Sequence, residues 1–242
     1  MSNIIFEDIL EKVKRNGFYI YPNYFDQKVV DQVKAEYFRV MDSLNVKPAG
    51  VKLKPADLVN RPWRKLAVGS RNGAGEPYSQ VLQTTYFSQN DAARPALSHV
   101  FSRLIEFRNG ITGMALDYGS DLSKDHFWNA CRVHHYPQGG GHMAPHRDTG
   151  FPAILKNFQI PFIQIMLTLS SRGDSFEQGG GYIQRDGNKV FLENETNEGS
   201  LVVFDGNTLH GVDDIDPDGL LNFNSHLGRL ALFVNLYRNP SI

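Results

Sequence analysis

Histidines cluster in one short segment of the chain. The stretch CRVHHYPQGGGHMAPHRDTGF, residues 131–151, contains four of the eight histidines. His142 and His146 are four positions apart, which on a helix would place both side chains on one face. Three glycines precede them and Pro145 lies between them, and both features break helices. The spacing therefore disfavours a zinc-protease helix and favours extended chain.

A His-x-Asp pair in this segment is the first candidate chelate. His146 and Asp148 are two positions apart, and in a strand that spacing points both side chains to the same face. The pair alone is a weak signal, because a turn with hydrogen-bonded polar groups gives the same pattern. A third ligand is available in EGSLVVFDGNTLHGV, residues 198–212, which predicts two strands joined by a tight turn with His210 at the rim of the sheet.

These three residues predict a metal centre with two imidazoles and one carboxylate. His146, Asp148 and His210 would occupy one face of the ion and leave three coordination positions open. Open positions suit oxygen chemistry on non-heme iron(II) better than a closed structural site. No catalytic residue is predicted beyond this metal centre.

The first half of the chain must supply elements that support this centre. Apolar residues at helical spacing predict three amphipathic helices. Their start and stop signals are Gly17 after the first, Asp26 and Pro48 around the second, and Asp91 before the third. Short strands are predicted before Pro22 and over residues 81–87, whereas residues 46–77 have no sustained period and are interpreted as loops or a lid.

The second half has the pattern of an antiparallel β-structure. From Ala130 onward, short apolar or alternating runs are separated by turn clusters such as PQGGG, RDGNK and NETNEG. Helices followed by many short strands predict a mainly β jelly-roll with the N-terminal helices packed on its outer sheet. We expect one domain over 1–242, with 1–129 as support and lid and 130–242 as the jelly-roll core.

Composition narrows the class of protein. The 25 Lys+Arg against 26 Asp+Glu give a net charge of -1, so no nucleic-acid partner is expected. The single cysteine, Cys131, forms no internal disulfide and no thiolate zinc cluster, which indicates a reducing, cytoplasmic setting. The sequence also lacks a signal-peptide pattern and a long apolar run, so neither secretion nor a membrane partner is expected.

Strand alternation places an arginine on the inner face of the predicted sheet. In GRLALFVNLY, Leu230, Leu232, Val234 and Leu236 share one face, and Arg229, Ala231, Phe233, Asn235 and Tyr237 share the other. The aliphatic face should meet the helices. A buried arginine requires a carboxylate, and its planar fork suits bidentate carboxylate binding. The same alternation in IPFIQIMLTLS makes Gln164 and Thr168 candidates for lining the pocket.

The three ligands together with Arg229 resemble the iron(II)/2-oxoglutarate-dependent oxygenases. In that family a strand ending in His-x-Asp precedes a double-stranded β-helix, and HHYPQGGGHMAPHRD and the GGGY at 179–182 are similar to those segments. The resemblance covers residues 130–238, and the opening of the chain is similar to the phytanoyl-CoA hydroxylase branch, with the prolyl hydroxylases offering a comparable His-x-Asp context. His210 and Arg229 are 19 positions apart (229 minus 210), longer than is usual, so an inserted loop within 211–228 is expected over the pocket.

The resemblance implies a set of cofactors and roles. The cofactors would be iron(II), 2-oxoglutarate as cosubstrate and dioxygen. Arg229 would bind the distal carboxylate of 2-oxoglutarate. The other expected cosubstrate contacts are Tyr136, Gln164, Arg132 and His134. The expected substrate contacts are Arg71, Tyr86, Thr168 and Asn235.

The resulting expectation is a dioxygenase that hydroxylates a C–H bond of a small-molecule metabolite or natural-product intermediate. Two other interpretations use the same triad. One is a zinc-dependent hydrolase, which gives Arg229 no role, and the other is a non-catalytic, cupin-like metal- or ligand-binding protein. The sequence leaves the oligomeric state open.

Overall fold

Three helices occupy the described part of the first half of the chain. The computed structural model describes residues 6–43, 62–71, 78–148, 160 and 162–239. The helices are α1 (Phe6–Asn16), α2 (Gln27–Ser43) and α3 (Pro95–Ile111). Gly17 ends α1 with a φ of +84°, and the Asp26 carboxylate caps α2 by accepting the Val29 N–H at 2.9 Å. The signals at Gly17 and Asp26 are confirmed, and Pro48 lies outside the described residues.

The start of α3 differs from the prediction. Pro95 is the first helical residue and Asp91 does not cap the helix, because its carboxylate accepts the Ala93 N–H and pairs with Arg94. The N–H groups of Ala96 and Leu97 instead donate to the Glu36 carboxylate of α2, at 3.1 and 2.9 Å. A side chain distant in sequence thus satisfies the free amides of the first turn and fixes α3 against α2.

Eleven strands form one curled, antiparallel sheet. The bounds are β1 Phe18–Tyr21, β2 Trp63–Arg71, β3 Tyr78–Phe87, β4 Phe127–Pro137, β5 Gly141–His146, β6 Ile163–Thr168, β7 Gly180–Arg185, β8 Asn188–Phe191, β9 Leu201–Asp205, β10 His210–Ile215 and β11 Gly228–Arg238. They pair in the order β1-β9-β6-β11-β4-β3-β5-β10-β7-β8, and β2 pairs with β3. This mainly β architecture with flanking helices confirms the predicted jelly-roll class.

Strand β3 joins the two halves of the jelly-roll. Its residues 83–87 pair with β4, whereas Gln80 and Val81 pair with β5. The turn at 138–140 lets the chain pass from β4 in one half to β5 in the other. The two halves therefore face each other, with the ends of β5 and β10 opposite β4, β6 and β11.

Strand β2 corrects the interpretation of residues 46–77 as loops. Trp63–Arg71 pairs with β3 along its whole length, from Trp63 opposite Tyr86 to Arg71 opposite Tyr78. Its sequence, WRKLAVGSR, lacks clear alternation, and its Val68 is exposed. A strand at the margin of a sheet is specified by its pairing more than by a buried face. The remainder of the predicted lid lies outside the described residues.

The main core lies between the helices and one face of the sheet, which we call the helix face. It is formed by alternate residues of β4, β6, β9 and β11 packed against all three helices. Leu230, Leu232 and Val234 of β11 belong to it, as the alternation predicted. Each such side chain contributes about 1.5–3 kcal/mol when fully buried. The residues that alternate with these along the same strands point to the opposite surface of the sheet, which we call the pocket face.

The segment between β10 and the pocket-lining part of β11 packs away from the pocket, contrary to the expected loop over its entrance. The Phe223 and Leu227 carbonyls accept hydrogen bonds from the helix-face side chains of Gln83 and His135, both at 2.9 Å. His226 stacks on Phe38 of α2 with ring centroids 4.1 Å apart. No residue of 216–227 lines the pocket among those described.

Within the same described ranges, no helix is long and apolar enough to cross a bilayer.

Candidate metal centre

The predicted ligands converge at one end of the cavity between the two halves of the jelly-roll. His146 ends β5, His210 begins β10, and the two residues are paired in register. Asp148 lies just beyond β5, where its N–H donates to the Gly206 carbonyl at 3.1 Å in the turn before β10. The ligand atoms of the three side chains all lie within 4.8 Å of one another, close enough to share one ion.

Backbone hydrogen bonds orient both imidazoles. Nδ1 of His146 is 2.9 Å from the Ala144 carbonyl, and Nδ1 of His210 is 2.8 Å from the Thr208 carbonyl. A carbonyl only accepts, so Nδ1 of each neutral ring carries the proton and Nε2 keeps its lone pair. The Nε2 atoms lie 3.6 and 3.7 Å from the two oxygens of Asp148. The donor set therefore fits a divalent cation.

Two amides hold the carboxylate in place. Gln164 Nε2 on β6 donates to Asp148 Oδ2 at 2.6 Å, and the Asn235 amide on β11 donates to Gln164 Oε1. Ligand carboxylates in metal sites are commonly fixed in this way by hydrogen bonds from neighbouring side chains. Gln164, expected to contact the cosubstrate, thus binds the metal ligand directly, and Asn235, expected to contact the substrate, supports Gln164. Both residues line the same cavity.

The cavity extends from the three ligands into the jelly-roll and has a volume of about 270 Å³. Its walls come from β4, β6, β9 and β11 on one side and from β5, β7 and β10 on the other. Met166, Phe204 and Phe233 form part of an apolar lining. A small-molecule site is typically of this concave, mostly apolar kind, with a few polar groups that fix orientation.

A buried ion pair occupies the end of the cavity away from the metal ligands. Arg229, at the start of β11, donates from Nε to Oε1 of Glu193 at 2.5 Å, and their side chains are only 4 % and 3 % exposed. The expected carboxylate partner of Arg229 is therefore supplied by the chain itself. Among the described residues, Nη2 contacts Met166 Sδ at 3.6 Å, and both residues line the cavity.

Gly181 of β7 allows the guanidinium to take this position. A Cβ at residue 181 would lie 2.4 Å from Arg229 Nη2 and 2.9 Å from its central carbon. Such distances are far below van der Waals contact, so any larger residue would displace Arg229. Gly181 thus leaves space for the arginine.

The other residues predicted on β4 also line the cavity. Arg132 donates from Nε to His134 Nε2 at 2.9 Å, and the Tyr136 ring lies 5.7 Å from the Arg229 guanidinium. Burial raises the pKa of Tyr136, against the opposing effect of Arg229, so its hydroxyl remains protonated. Tyr86 on β3 faces the same space.

Of the two remaining predicted contacts, Thr168 is not brought to the cavity, and Arg71 stays a prediction. The Thr168 hydroxyl is buried and donates to the Asn197 carbonyl at 2.6 Å, close to the Ser200 carbonyl at 3.1 Å. Thr168 shares a face with Gln164, but at the end of β6 that face is covered by the chain before β9. Arg71 ends β2, and its side chain lies outside the described part of the structure.

Two residues at the site were missed by sequence reasoning. Glu193 lies in a short 3-10 helix, Leu192–Asn194, within an acidic, turn-like stretch, and nothing local distinguishes it from solvated carboxylates. Tyr78 stacks on the His146 ring with centroids 4.3 Å apart and lies beside residues without any period. Both contacts depend on pairing between distant segments, which leaves no local signal.

Comparison with known proteins relates this fold to oxygenases. No family model matches the sequence, and no curated protein matches it. A prolyl-4-hydroxylase from Pseudomonas putida has a TM-score of 0.57 at 16% identity, over 97% of this chain and 99% of that one. A prolyl hydroxylase from Trichoplax adhaerens, solved with a hypoxia-inducible factor peptide, has a TM-score of 0.53 at 12% identity, over 98% and 90%.

A third similar structure has a different activity. It is a non-heme alpha-ketoglutarate-dependent epimerase of nogalamycin biosynthesis, with a TM-score of 0.54 at 14% identity, over 96% of this chain and 82% of that one. All three chains are covered over most of their length. The chain therefore has the fold of the 2-oxoglutarate–iron(II) oxygenases, with a His-Asp-His triad at one end of its cavity.

Proposed function

We propose that this chain is an iron(II)- and 2-oxoglutarate-dependent dioxygenase that hydroxylates a C–H bond of a small-molecule metabolite or natural-product intermediate. The observation that carries the proposal is the triad of His146, Asp148 and His210, whose ligand atoms meet in a cavity that holds a buried arginine at its other end. Two imidazoles and one carboxylate with open positions suit non-heme iron(II). The zinc hydrolase interpretation gives Arg229 no role.

Bound iron(II), 2-oxoglutarate and dioxygen supply oxidation of the substrate, with conversion of 2-oxoglutarate to succinate and carbon dioxide. The chain contributes position and surroundings. Arg229 is held at Nε by Glu193 and directs its remaining nitrogens at the cavity, where they would bind the distal carboxylate of the cosubstrate. The apolar walls keep water from the reacting groups.

The size of the cavity favours a small substrate. Its volume of about 270 Å³ lies just below the usual range for small-molecule sites, about 300–1,000 Å³. It must hold the cosubstrate as well as the reacting part of the substrate. We therefore place a compact metabolite ahead of a protein substrate.

An anaerobic titration tests the proposal. Protein supplied with iron(II) and then 2-oxoglutarate should develop a weak visible charge-transfer band, and admission of air should yield succinate. Pyruvate is the matched control, because it has the 2-oxo acid group but no distal carboxylate for Arg229, and it should bind far more weakly. Folded protein that binds iron(II) but gives no band with 2-oxoglutarate would contradict the proposal and support a non-oxygenase metal site.

A further inference from the structure

Arg132 is a second buried arginine on the pocket face, and no acidic side chain among the described residues pairs with it. It is 7 % exposed, lines the cavity and lies opposite Phe233 and Tyr86 in the sheet register. Its Nε is used by His134. Its Nη1 is buried and has no hydrogen-bond partner among the described residues.

Arg132 lacks the carboxylate partner that Arg229 has. Arg229 has the Glu193 carboxylate at 2.5 Å, whereas no acidic side chain in the described ranges forms an ion pair with Arg132. A guanidinium cannot lose its proton to escape this cost, and an unpaired buried charge costs several kcal/mol. An anion supplied by a ligand would remove that cost, and the planar fork suits a carboxylate or phosphate.

Aromatic rings fix the direction of the Arg132 side chain. Its central carbon lies 5.3 Å from the Phe233 ring centroid and 5.2 Å from the Tyr237 ring centroid. Phe233 and Tyr237 lie toward the C-terminal end of β11, whereas Arg229 is near its start. The Arg132 guanidinium is therefore directed away from Arg229.

The register separates the two arginines and places Arg132 level with the metal ligands. Arg229 pairs with Tyr136, four residues along β4 from Arg132, which corresponds to roughly 13 Å of strand. Asn235, between Phe233 and Tyr237 on the same face, is hydrogen-bonded through Gln164 to Asp148. A cosubstrate whose distal carboxylate lies at Arg229 therefore leaves Arg132 to the other occupant of the cavity.

We infer that the substrate of this enzyme is an anion and that Arg132 binds its carboxylate or phosphate group beside the metal centre. The inference rests on the proposed function for the identity of the second occupant. It replaces the expectation that Arg132 contacts 2-oxoglutarate. Arg132 thus selects the substrate, while Arg229 selects the cosubstrate.

Matched probes of one shape test the inference. Benzoate, phenyl phosphate and benzamide share a ring and differ in charge. Each is titrated into anaerobic protein loaded with iron(II) and 2-oxoglutarate, and binding is read from the thermal unfolding midpoint and the visible band. Benzoate or phenyl phosphate should bind roughly tenfold to a hundredfold more tightly than benzamide, as expected for a hydrogen bond to a charged group. The tighter of the two anions identifies the preferred group.

Variants assign the preference to Arg132. Arg132→Gln should abolish the tighter binding of the anions relative to benzamide. The dissociation constant of this variant for 2-oxoglutarate, measured without a probe, should differ from that of the unmodified protein by less than about threefold, as expected for a substitution distant from the bound cosubstrate. Arg132→Lys, which keeps the charge and loses the fork, should bind the anions with intermediate affinity. Arg185→Gln removes an exposed positive charge outside the cavity and should behave as the unmodified protein.

The outcomes distinguish a failure of the inferred anion site from a failure of the proposed oxygenase function. Benzamide binding as tightly as both anions would overturn the inference without the use of any variant. A loss of 2-oxoglutarate affinity in Arg132→Gln equal to its loss of anion affinity would also overturn it, by returning Arg132 to the cosubstrate. Failure of the visible band in the unmodified protein, with Arg132-dependent anion binding retained, would contradict the oxygenase proposal and leave the anion site standing.

Discussion

Adjacent histidines on β4 show how differently the two faces of the sheet treat polar groups. On the helix face, His135 is fully buried, with Gln83 2.7 Å from Nδ1 and the Leu227 carbonyl 2.9 Å from Nε2. On the pocket face, His134 lies beside Arg132, whose Nη1 has no partner among the described residues. On the helix face, both ring nitrogens of His135 are thus hydrogen-bonded within the protein, whereas on the pocket face an arginine nitrogen is left available to a ligand.

This difference between the two faces means that polar groups on one face mainly affect stability and those on the other mainly affect ligand binding. Buried polar groups that are fully hydrogen-bonded stabilise one packing arrangement, whereas groups left available at a cavity cost stability until a ligand binds. The pair of Arg229 and Glu193 combines both behaviours, because its charges are paired within the protein while the remaining nitrogens of Arg229 stay available at the cavity. Substitutions on the two faces, and at this pair, should therefore affect different measurements.

The largest effect is expected at the metal ligands. His210→Ala removes one of three ligands, so iron(II) binding and succinate formation should fall below detection. The unfolding free energy of the metal-free protein should fall by about 1–2 kcal/mol, because the substitution removes the bond to the Thr208 carbonyl and the ring contacts with His146 and Phe204. Anaerobic equilibrium dialysis and urea unfolding measure the two quantities. His142→Ala, in the same strand pairing but outside the triad, is the control and should bind iron(II) normally. Normal iron binding by His210→Ala would refute the ligand assignment.

Substitution at the Arg229–Glu193 pair should give the next largest effect. It should change both the free energy of unfolding and the response of that free energy to 2-oxoglutarate. Glu193→Ala leaves Arg229 as an uncompensated buried charge, which should cost about 3–5 kcal/mol of unfolding free energy. Because the 2-oxoglutarate carboxylate would then be the only partner of Arg229, saturating cosubstrate should restore part of that loss. Urea unfolding with and without 2-oxoglutarate measures both effects.

Two variants control this experiment. Glu193→Gln keeps the shape and one acceptor and should lose less stability than Glu193→Ala. Glu195→Ala removes a nearby exposed carboxylate and should be neutral. A Glu193→Ala protein as stable as the unmodified chain would mean that the ion pair contributes nothing and that Arg229 is accommodated in another way.

The helix face should respond to pH rather than to ligands. Burial lowers the pKa of His135 to about 4, partly offset by its bond to the Leu227 carbonyl. The unfolded chain takes up this proton near pH 6.5, so the stabilisation from neutral His135 is complete above that pH and is lost as pH falls toward 4. The loss should be roughly 3 kcal/mol over the whole window. Urea unfolding at several pH values should show this slope, and His135→Gln should reduce it. An unchanged slope in that variant would assign the pH dependence to other groups.

Much of this contrast between faces was predictable, because it arises from local periodicity. Alternation in GRLALFVNLY assigned Leu230 and Leu232 to the helices and Arg229 to the cavity, and both assignments agree with the structure. The spacing of His146 and Asp148 also depends only on the geometry of a strand. Such signals need no knowledge of distant segments.

The unpredicted features all depend on tertiary pairing. Glu193 reaches Arg229 across 36 positions, and Glu36 caps α3 across 60, so neither has a local signature. Thr168 has the correct alternation but lies where the strand end is covered by the segment at Asn197. β2 exists because β3 offers a free edge, and its own residues show no period.

The smallest effect is expected at the two pocket-face amides that support Asp148. Gln164→Leu removes the donor to Asp148 Oδ2 and leaves the Asn235 amide without its acceptor. The three ligands remain, so iron(II) should still bind, but roughly tenfold to a hundredfold more weakly, as is usual when a hydrogen bond to a ligand side chain is lost. Gln178→Leu, which removes an exposed amide, is the control for dialysis under the same conditions. If Gln164→Leu binds iron(II) as tightly as the unmodified protein, the carboxylate is positioned by the backbone bond of Asp148 to Gly206 alone, and the pocket face is more rigid than its open hydrogen-bonding groups suggest.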